Sequence, residues 1–137
     1  MTIAVLGAGM VGHAIALDLA KEYGVTSFDF NAANLEELKS RKDSIQTVVV
    51  DLSQFDKYKS WLASFDMVVT AVPGFMGFKT LKAVINAGKN VVDISFFSED
   101  ALVLDKLAKE KGVIVITDCG VAPGVSNFII GWYNEVI

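Results

Sequence analysis

Gly7-Ala8-Gly9-Met10-Val11-Gly12 decides the fold of this chain. The stretch is a G-x-G-x-x-G motif that directly follows an apolar run, Ile3–Leu6, and opens a helical pattern at Met10. In that context the first glycine allows a tight turn, the second lets the backbone approach a pyrophosphate, and the third lets helix and strand pack closely. Amides at a helix start also attract phosphates. The motif therefore predicts a dinucleotide-binding unit, with an ordinary glycine turn as the alternative.

Apolar runs and helical patterns alternate outward from this motif. The helical patterns show four-residue spacing of apolar side chains, and Gly24, Gly88 and Gly112 each stand between a helix and a strand, where a left-handed cap is expected. Runs rich in Val and Ile are typical of buried parallel strands. We therefore predict an α/β fold, a three-layer doubly wound parallel sheet of about six strands in the order 3-2-1-4-5-6. The predicted strands are Ile3–Leu6, Val25–Phe28, Thr47–Leu52, Met67–Val72, Asn90–Ile94 and Val113–Thr117.

The chain divides near residue 124. Residues 1–124 are predicted to form an NAD(P)-binding Rossmann domain, and residues 125–137 a C-terminal helix. That helix carries seven large apolar residues with little polar cover, and an exposed apolar helix usually has a partner. We therefore expect it to lead toward a second domain that binds substrate.

Composition excludes several classes of protein. The 137 residues have a net charge of -4 and no block of Lys or Arg, which argues against nucleic-acid binding. The apolar stretches are too short to cross a membrane, and the first residues lack the basic region of a signal peptide. A single cysteine, Cys119, excludes an internal disulfide and a cysteine-based zinc cluster. We expect a cytoplasmic protein without a metal site.

Asp29 completes the nucleotide-binding pattern. It ends the second predicted strand about 20 residues after the glycines, where an acidic residue hydrogen-bonds the adenosine ribose. An ionised Asp repels a 2′-phosphate, and no Lys or Arg lies between Phe30 and Glu37 to bind one. This favours NAD over NADP. The alternative role for Asp29 is to cap the helix that starts near Asn31.

Other polar and turn residues follow the strands. Asp51 ends the third strand and is interpreted equally well as a contact to the adenine or as a turn residue. Ala71-Val72-Pro73-Gly74 closes the fourth strand beside the crevice where the strand order reverses, and either faces the nicotinamide ribose or simply makes a turn. His13 is predicted to be an ordinary helix residue and Cys119 a small packing residue, because neither has an identified catalytic partner.

Three longer stretches resemble the saccharopine dehydrogenase family, and most closely its lysine 6-dehydrogenase-like branch. They are Ala71–Phe75, Val92–Phe96 and Asp118–Asn127, with the run Pro73–Lys79 extending the first. The resemblance implies a two-domain oxidoreductase that transfers hydride between a nicotinamide and a carbon bearing nitrogen. The second domain would bind an amino acid and support homo-oligomerisation. Lysine, saccharopine and carboxynorspermidine-like substrates all remain open.

The same resemblance implies a set of cofactor-binding residues and leaves the catalytic residues unassigned. Cys119 departs from the family pattern, in which a small residue such as alanine is expected. With no second domain, residues 1–137 should bind dinucleotide but catalyse hydride transfer poorly. The implied cofactor-binding residues are Gly7, Ala8, Gly9, Met10, Val11, Gly12, Asp29, Asn31, Asp51, Leu52, Ala71, Val72, Pro73, Asp93, Ser95 and Asp118.

Two other functions remain as alternatives. A regulatory NAD-sensing Rossmann domain, similar to those of potassium transport proteins, has a comparable length, glycine loop and acidic residue. The segment Asp118–Asn127 and the pair Asp93 and Ser95 belong to the dehydrogenase pattern, and a sensor does not need them. The second alternative is a catalytically inactive relative.

Overall fold

The centre of the protein is a parallel sheet of six strands. The structure is a computed structural model that describes all of residues 1–137. The strand order is β3-β2-β1-β4-β5-β6, and every neighbouring pair is parallel, as the sequence predicts. The strands are β1 (Thr2–Leu6), β2 (Gly24–Asp29), β3 (Gln46–Val49), β4 (Met67–Thr70), β5 (Asn90–Asp93) and β6 (Val115–Ile116). The helices are α1 (Met10–Leu19), α2 (Ala32–Arg41), α3 (Tyr58–Trp61), α4 (Gly74–Asn86), α5 (Asp105–Lys111) and α6 (Val125–Val136).

Both faces of the sheet are covered, so the three-layer prediction is confirmed. Successive side chains of a strand point to opposite faces. Accordingly Ala4 and Leu6 pack into one core with residues of α3 and α4, whereas Ile3 and Val5 pack into a second core with residues of α1 and α2. This double burial explains why the strands read as continuous apolar runs without polar alternation.

The strand ends differ from the sequence prediction. β3 stops at Val49, although the apolar run continues to Leu52. The Val50 amide still bonds to the backbone of Asp29, but Asp51 then accepts a hydrogen bond from the Ser53 amide and turns the chain away from the sheet. The predicted sixth strand is likewise reduced to two residues.

Two of the three predicted glycine caps are confirmed. Gly88 and Gly112 have φ values of 72° and 64°, in the left-handed region that glycine adopts easily. The prediction for Gly24 is wrong. α1 already ends at Leu19, the Tyr23 amide bonds back to the Leu19 carbonyl, and Gly24 is the first residue of β2, paired with Thr2.

α6 contributes nothing to either core. None of its residues is buried, and the rings of Trp132 and Tyr133 pack edge to face only on each other. The helix presents Phe128, Ile129, Ile130, Trp132, Tyr133 and Val136 to the surface. No helix of the protein combines the length and the apolar character needed to span a membrane.

Candidate functional site

The carboxyl ends of β1 to β4 open into a cavity of about 850 Å³, here called the glycine-loop cavity. It combines the turn after β1 with the ends of the neighbouring strands, as expected where the strand order reverses. Eleven of the residues predicted from sequence to bind cofactor line it, namely Gly7, Gly9, Met10, Val11, Gly12, Asp29, Asp51, Leu52, Ala71, Val72 and Pro73. The other residues lining this cavity are Phe30, Asn34, Ser53, Phe75 and Met76.

The structure accounts for glycine differently at each of the three positions of the motif. Gly7 has φ of 103°, and a Cβ there would lie 2.5 Å from the Ala71 carbonyl oxygen. A Cβ on Gly12 would overlap the Gly7 carbonyl oxygen. Gly9 instead has an ordinary extended conformation, with φ of -71° and ψ of -176°, and a Cβ there would have no heavy atom within 4 Å. The first and third glycines are therefore required by packing, and the second leaves open space in front of α1.

Asp29 joins the end of β2 to the glycine loop. Its Oδ2 accepts a hydrogen bond of 2.5 Å from the Ala8 amide, and its Oδ1 accepts one of 2.8 Å from the Asn31 amide. The residue is only 7% exposed but lines the glycine-loop cavity. A carboxylate has about four lone-pair sites, so two remain after these bonds. Asp29 therefore fixes the loop and still offers acceptors to a ligand.

Ala8 and Asn31 are placed differently from the prediction. Ala8 is fully buried, and its amide is already bonded to Asp29, so it does not line the glycine-loop cavity. Asn31 is the N-cap of α2, and its side chain accepts a hydrogen bond of 3.0 Å from the Ala33 amide. The capping role considered for Asp29 thus belongs to Asn31, and Asn34, one turn later, reaches the cavity instead.

Asp51 makes a turn and also lines the glycine-loop cavity. Its Oδ1 accepts a hydrogen bond of 2.9 Å from the Ser53 amide, which makes it a turn residue, and it also lines the glycine-loop cavity. Hydrogen bonding from Ser53, first through the side chain and then through the backbone, lowers the pKa of Asp51. The exposed ring of Phe30 lines the cavity beside it. This end of the cavity combines a carboxylate with flat apolar surface.

Ser95 and Asp118 line a neighbouring cavity of about 530 Å³ at the ends of β5 and β6, here called the β5–β6 cavity. It shares Val11 with the glycine-loop cavity. Asp118 has φ of 56°, a left-handed conformation that Asp tolerates better than most residues. Cys119 also lines this cavity. Its Sγ donates to the Asp93 carbonyl oxygen at 3.4 Å, and burial raises the pKa of its thiol. This environment keeps the thiol protonated, which is typical of a packing residue.

Asp93 lines neither cavity, in contrast to the prediction. Its exposed fraction is 0%, and Oδ1 accepts hydrogen bonds from the Thr70 hydroxyl and from the hydroxyl and amide of Ser95. Oδ2 has no partner. Burial raises the pKa of Asp93, and the negative charge of Asp118 raises it further, against the opposing effect of the hydrogen bonds. Asp93 therefore holds Ser95 in place from beneath the surface.

Sequence reasoning missed five residues that line the glycine-loop cavity. Phe30 and Ser53 directly follow residues that were identified, so extending each predicted loop would have included them. Phe75 and Met76 lie in the first turn of α4, one residue beyond the predicted Ala71–Pro73 segment. Asn34 lies on α2, and only the packing of α2 beside the glycine loop reveals it. No group of three His, Cys, Asp or Glu side chains is placed to hold a metal ion.

Known proteins share this chain's sequence pattern and fold. The chain is 25% identical over 129 residues to the NADP-dependent, L-glutamate-forming saccharopine dehydrogenase of Pyricularia oryzae, a match covering 92% of this chain and 28% of that protein. It is 27% identical over 129 residues to the mitochondrial alpha-aminoadipic semialdehyde synthase of Rattus norvegicus, covering 93% of this chain and 14% of that protein. The chain thus spans less than a third of the length of these relatives.

Solved structures confirm the fold. Apo saccharopine dehydrogenase (L-Glu forming) from Saccharomyces cerevisiae superposes with a TM-score of 0.85 at 23% identity, over 98% of this chain and 31% of that chain. GenD2 from gentamicin A biosynthesis, solved in complex with NAD, gives a TM-score of 0.65 at 20% identity, over 85% of this chain and 34% of that chain. None of these findings supports the regulatory-sensor alternative.

The family assignment rests on a match to most of the chain. The model of the saccharopine dehydrogenase NADP binding domain matches residues 3–116, from the first residues of β1 to the end of β6. That region contains the whole glycine-loop cavity. The chain therefore belongs to the saccharopine dehydrogenase family, as its dinucleotide-binding domain.

Proposed function

We propose that this chain binds NAD across the glycine-loop cavity and presents the nicotinamide for hydride transfer at the C–N bond of an amino acid. The observation that carries the proposal is the position of Asp29. Its carboxylate lies at the end of β2, bonded to the glycine loop and lining the same cavity as Gly9. An acidic residue so placed can accept hydrogen bonds from ribose hydroxyls while the phosphates lie at the start of α1.

The pyrophosphate is assigned to the first turn of α1. Gly9 is the N-cap residue and has no side chain to cover the turn, and Met10 and Val11 follow it along the cavity wall. Backbone amides at a helix start favour anions through both hydrogen bonding and the helix dipole. The space in front of Gly9 lets a phosphate approach these amides directly.

The preference for NAD follows from the charges around the ribose. The residues lining the glycine-loop cavity include two carboxylates, Asp29 and Asp51, but no Lys, Arg or His. A 2′-phosphate carries between one and two negative charges at neutral pH and would face these carboxylates without a cation. The family is named for NADP, but the side chains of this member favour the cofactor without the phosphate.

The remaining predicted contacts are assigned by position along the sheet. Leu52 and Phe30 provide apolar surface for the adenine beside Asp51. Ala71, Val72 and Pro73, which line the cavity at the end of β4, are proposed to lie on the nicotinamide side. Ser95 and Asp118, on the β5–β6 cavity, are proposed to contact the nicotinamide half.

The reaction requires more than this domain. The bound nicotinamide supplies the hydride chemistry, and this chain orients the cofactor. Efficient transfer also needs the amino acid held against the nicotinamide, which we assign to a second domain beyond the Rossmann domain of residues 1–124. The exposed apolar face of α6 and the greater length of the relatives support that arrangement. Lysine and saccharopine are both suitable substrates for the proposed chemistry.

Calorimetric titration of the 137-residue chain with NAD⁺ and NADP⁺ tests the proposed cofactor. We expect NAD⁺ to bind about tenfold more tightly or better, which corresponds to about 1.4 kcal/mol. Asp29→Asn removes the charge at nearly constant size and should reduce the difference between the NAD⁺ and NADP⁺ affinities. Asp43→Asn, at an exposed residue beyond α2, should leave that difference unchanged. Tighter binding of NADP⁺ by the unmodified chain would show that the assignment is wrong.

A further inference from the structure

A second, smaller cavity adjoins the glycine-loop cavity. It has a volume of about 280 Å³ and lies between the first turn of α1 and the exposed face of α2. We call it the α1–α2 pocket. It shares Gly9, Met10 and Asn34 with the glycine-loop cavity, so the two spaces meet at the glycine loop. A group attached to the ribose on the α2 side would enter this pocket.

The α1–α2 pocket contains the cationic side chain that the glycine-loop cavity lacks. Arg41 and His13 line it, together with Glu37. Nδ1 of His13 faces the Ala8 carbonyl oxygen at 2.8 Å and therefore carries a proton, while Nε2 has no partner. A guanidinium beside a helix start would suit a phosphate monoester, because Arg binds phosphate oxygens through paired hydrogen bonds.

The guanidinium of Arg41 is already hydrogen-bonded to Glu37. Asn34, Glu37 and Arg41 are spaced three and four residues apart, so they lie on one face of α2. Nη2 of Arg41 donates to Oε1 of Glu37 at 2.6 Å, and both side chains remain more than half exposed. The ion pair cancels the positive charge of Arg41 and places a carboxylate in the pocket.

Given the proposed binding of NAD, we propose that Glu37 is a specificity-determining residue that excludes the 2′-phosphate of NADP from the α1–α2 pocket. It does so in two ways. Its carboxylate repels the phosphate, and its hydrogen bond engages Nη2 of Arg41, the one cationic side chain of Lys or Arg type that lines the pocket. In this proposal Asp29 accepts hydrogen bonds from the ribose hydroxyls. Glu37 lies further along α2 and repels the 2′-phosphate, which is the group that distinguishes NADP from NAD.

The test compares the ratio of the dissociation constants for NADP⁺ and NAD⁺ among variants of the 137-residue chain. Glu37→Gln keeps the length of the side chain, removes its charge and replaces the ion pair with Arg41 by at most a hydrogen bond to a neutral acceptor. We expect the ratio to fall about tenfold, because one repulsive charge is lost and one attractive charge becomes available at short range. In the double variant with Arg41→Gln, the fall should be smaller, because only the loss of the repulsive charge remains.

Glu36→Gln is the matched control. Glu36 is the adjacent exposed acid on α2 but does not line the α1–α2 pocket, so its removal changes the net charge equally and should leave the ratio unchanged. The proposal is overturned if Glu37→Gln leaves the ratio unchanged, if Glu36→Gln lowers it equally, or if the full fall persists without Arg41. Absence of NAD⁺ binding by the unmodified chain would instead reject the proposed function, so the two failures are distinguishable.

Discussion

Replacing Gly9 by alanine should weaken dinucleotide binding strongly while leaving the chain folded. The backbone at Gly9 has φ of -71° and ψ of -176°, which alanine adopts without strain, and a Cβ there has no heavy atom within 4 Å. At an N-cap position alanine is worse than glycine by up to about 1 kcal/mol. The reduced entropy of the unfolded chain offsets roughly 0.4–1 kcal/mol of this. The free energy of unfolding should therefore change by less than about 1 kcal/mol.

The effect of Gly9→Ala on affinity has a different origin. The added methyl group would stand in the open space before the first turn of α1, where we assign the pyrophosphate. A hydrogen bond to a charged group contributes about 1.5–3 kcal/mol. The loss of one amide–phosphate contact should therefore increase the dissociation constant roughly 10- to 100-fold. NAD⁺ and NADP⁺ should be affected equally, because they share the pyrophosphate.

Gly12→Ala, in the same motif, should destabilise the fold, in contrast to Gly9→Ala. A Cβ on Gly12 would overlap the carbonyl oxygen of Gly7, and a backbone atom cannot rotate away as a side chain can. Overpacking of this kind costs about 1–3 kcal/mol and occasionally more, and here α1 must shift relative to β1. We expect a loss of about 3 kcal/mol or more. Gly131→Ala, in the exposed part of α6 with no heavy atom within 4 Å, is the neutral control.

Urea unfolding and calorimetric titration with NAD⁺ measure the two quantities separately. The expected pattern is a stable Gly9→Ala variant that binds poorly, an unstable Gly12→Ala variant, and a Gly131→Ala variant that matches the unmodified chain in affinity. If Gly9→Ala binds NAD⁺ within twofold of the unmodified chain, the pyrophosphate does not lie where we assign it. Equal destabilisation by Gly9→Ala and Gly12→Ala would refute the packing argument.

Two further predictions concern the buried carboxyl group and the C-terminal helix. Because burial raises the pKa of Asp93, the folded chain holds this proton more tightly than the unfolded chain, and its contribution to stability falls as pH rises from 3.8 through the raised folded value. Asp93→Asn should flatten this part of the pH profile measured by urea unfolding, and an unchanged slope would contradict the prediction. Removal of residues 125–137 should change the free energy of unfolding by less than about 1 kcal/mol, since α6 has no buried residue. A loss typical of a core deletion would disprove the predicted domain boundary at residue 124.

The topology could be predicted from sequence because it depends on local patterns and on one general rule of chain handedness. The runs at Ile3–Leu6 and Met67–Val72 identify central strands through their lack of polar alternation. The glycine motif identifies the first βα turn, and right-handed crossovers then leave few possible orders. The motif also located Gly7, Gly9 and Gly12 correctly on the cavity, because their roles follow from the turn that they form.

Other features depend on contacts between distant parts of the chain and could not be predicted in this way. Asp93 is the last residue of β5 and Asp118 comes shortly after β6, but Asp93 is enclosed by Thr70 and Ser95 whereas Asp118 reaches the β5–β6 cavity. Which of them is buried depends on how β4 and the loops pack, and no local pattern encodes it. Gly24 shows the same difficulty, because the length of α1 was inferred from an apolar spacing that continues beyond its last turn.

Cofactor binding and cofactor choice are separable in this domain because different elements carry them. The pyrophosphate site consists of backbone amides after β1, which cannot distinguish NAD from NADP. We propose that the choice depends on side chains one strand away, namely Asp29 at the end of β2 and Glu37 with Arg41 on α2. Substitution at Gly9 should therefore lower both affinities and preserve their ratio, whereas substitution at Glu37 should change the ratio. Under these proposals, one or two charges on α2 set the choice of cofactor without altering the glycine loop, and this member of a family named for NADP prefers NAD.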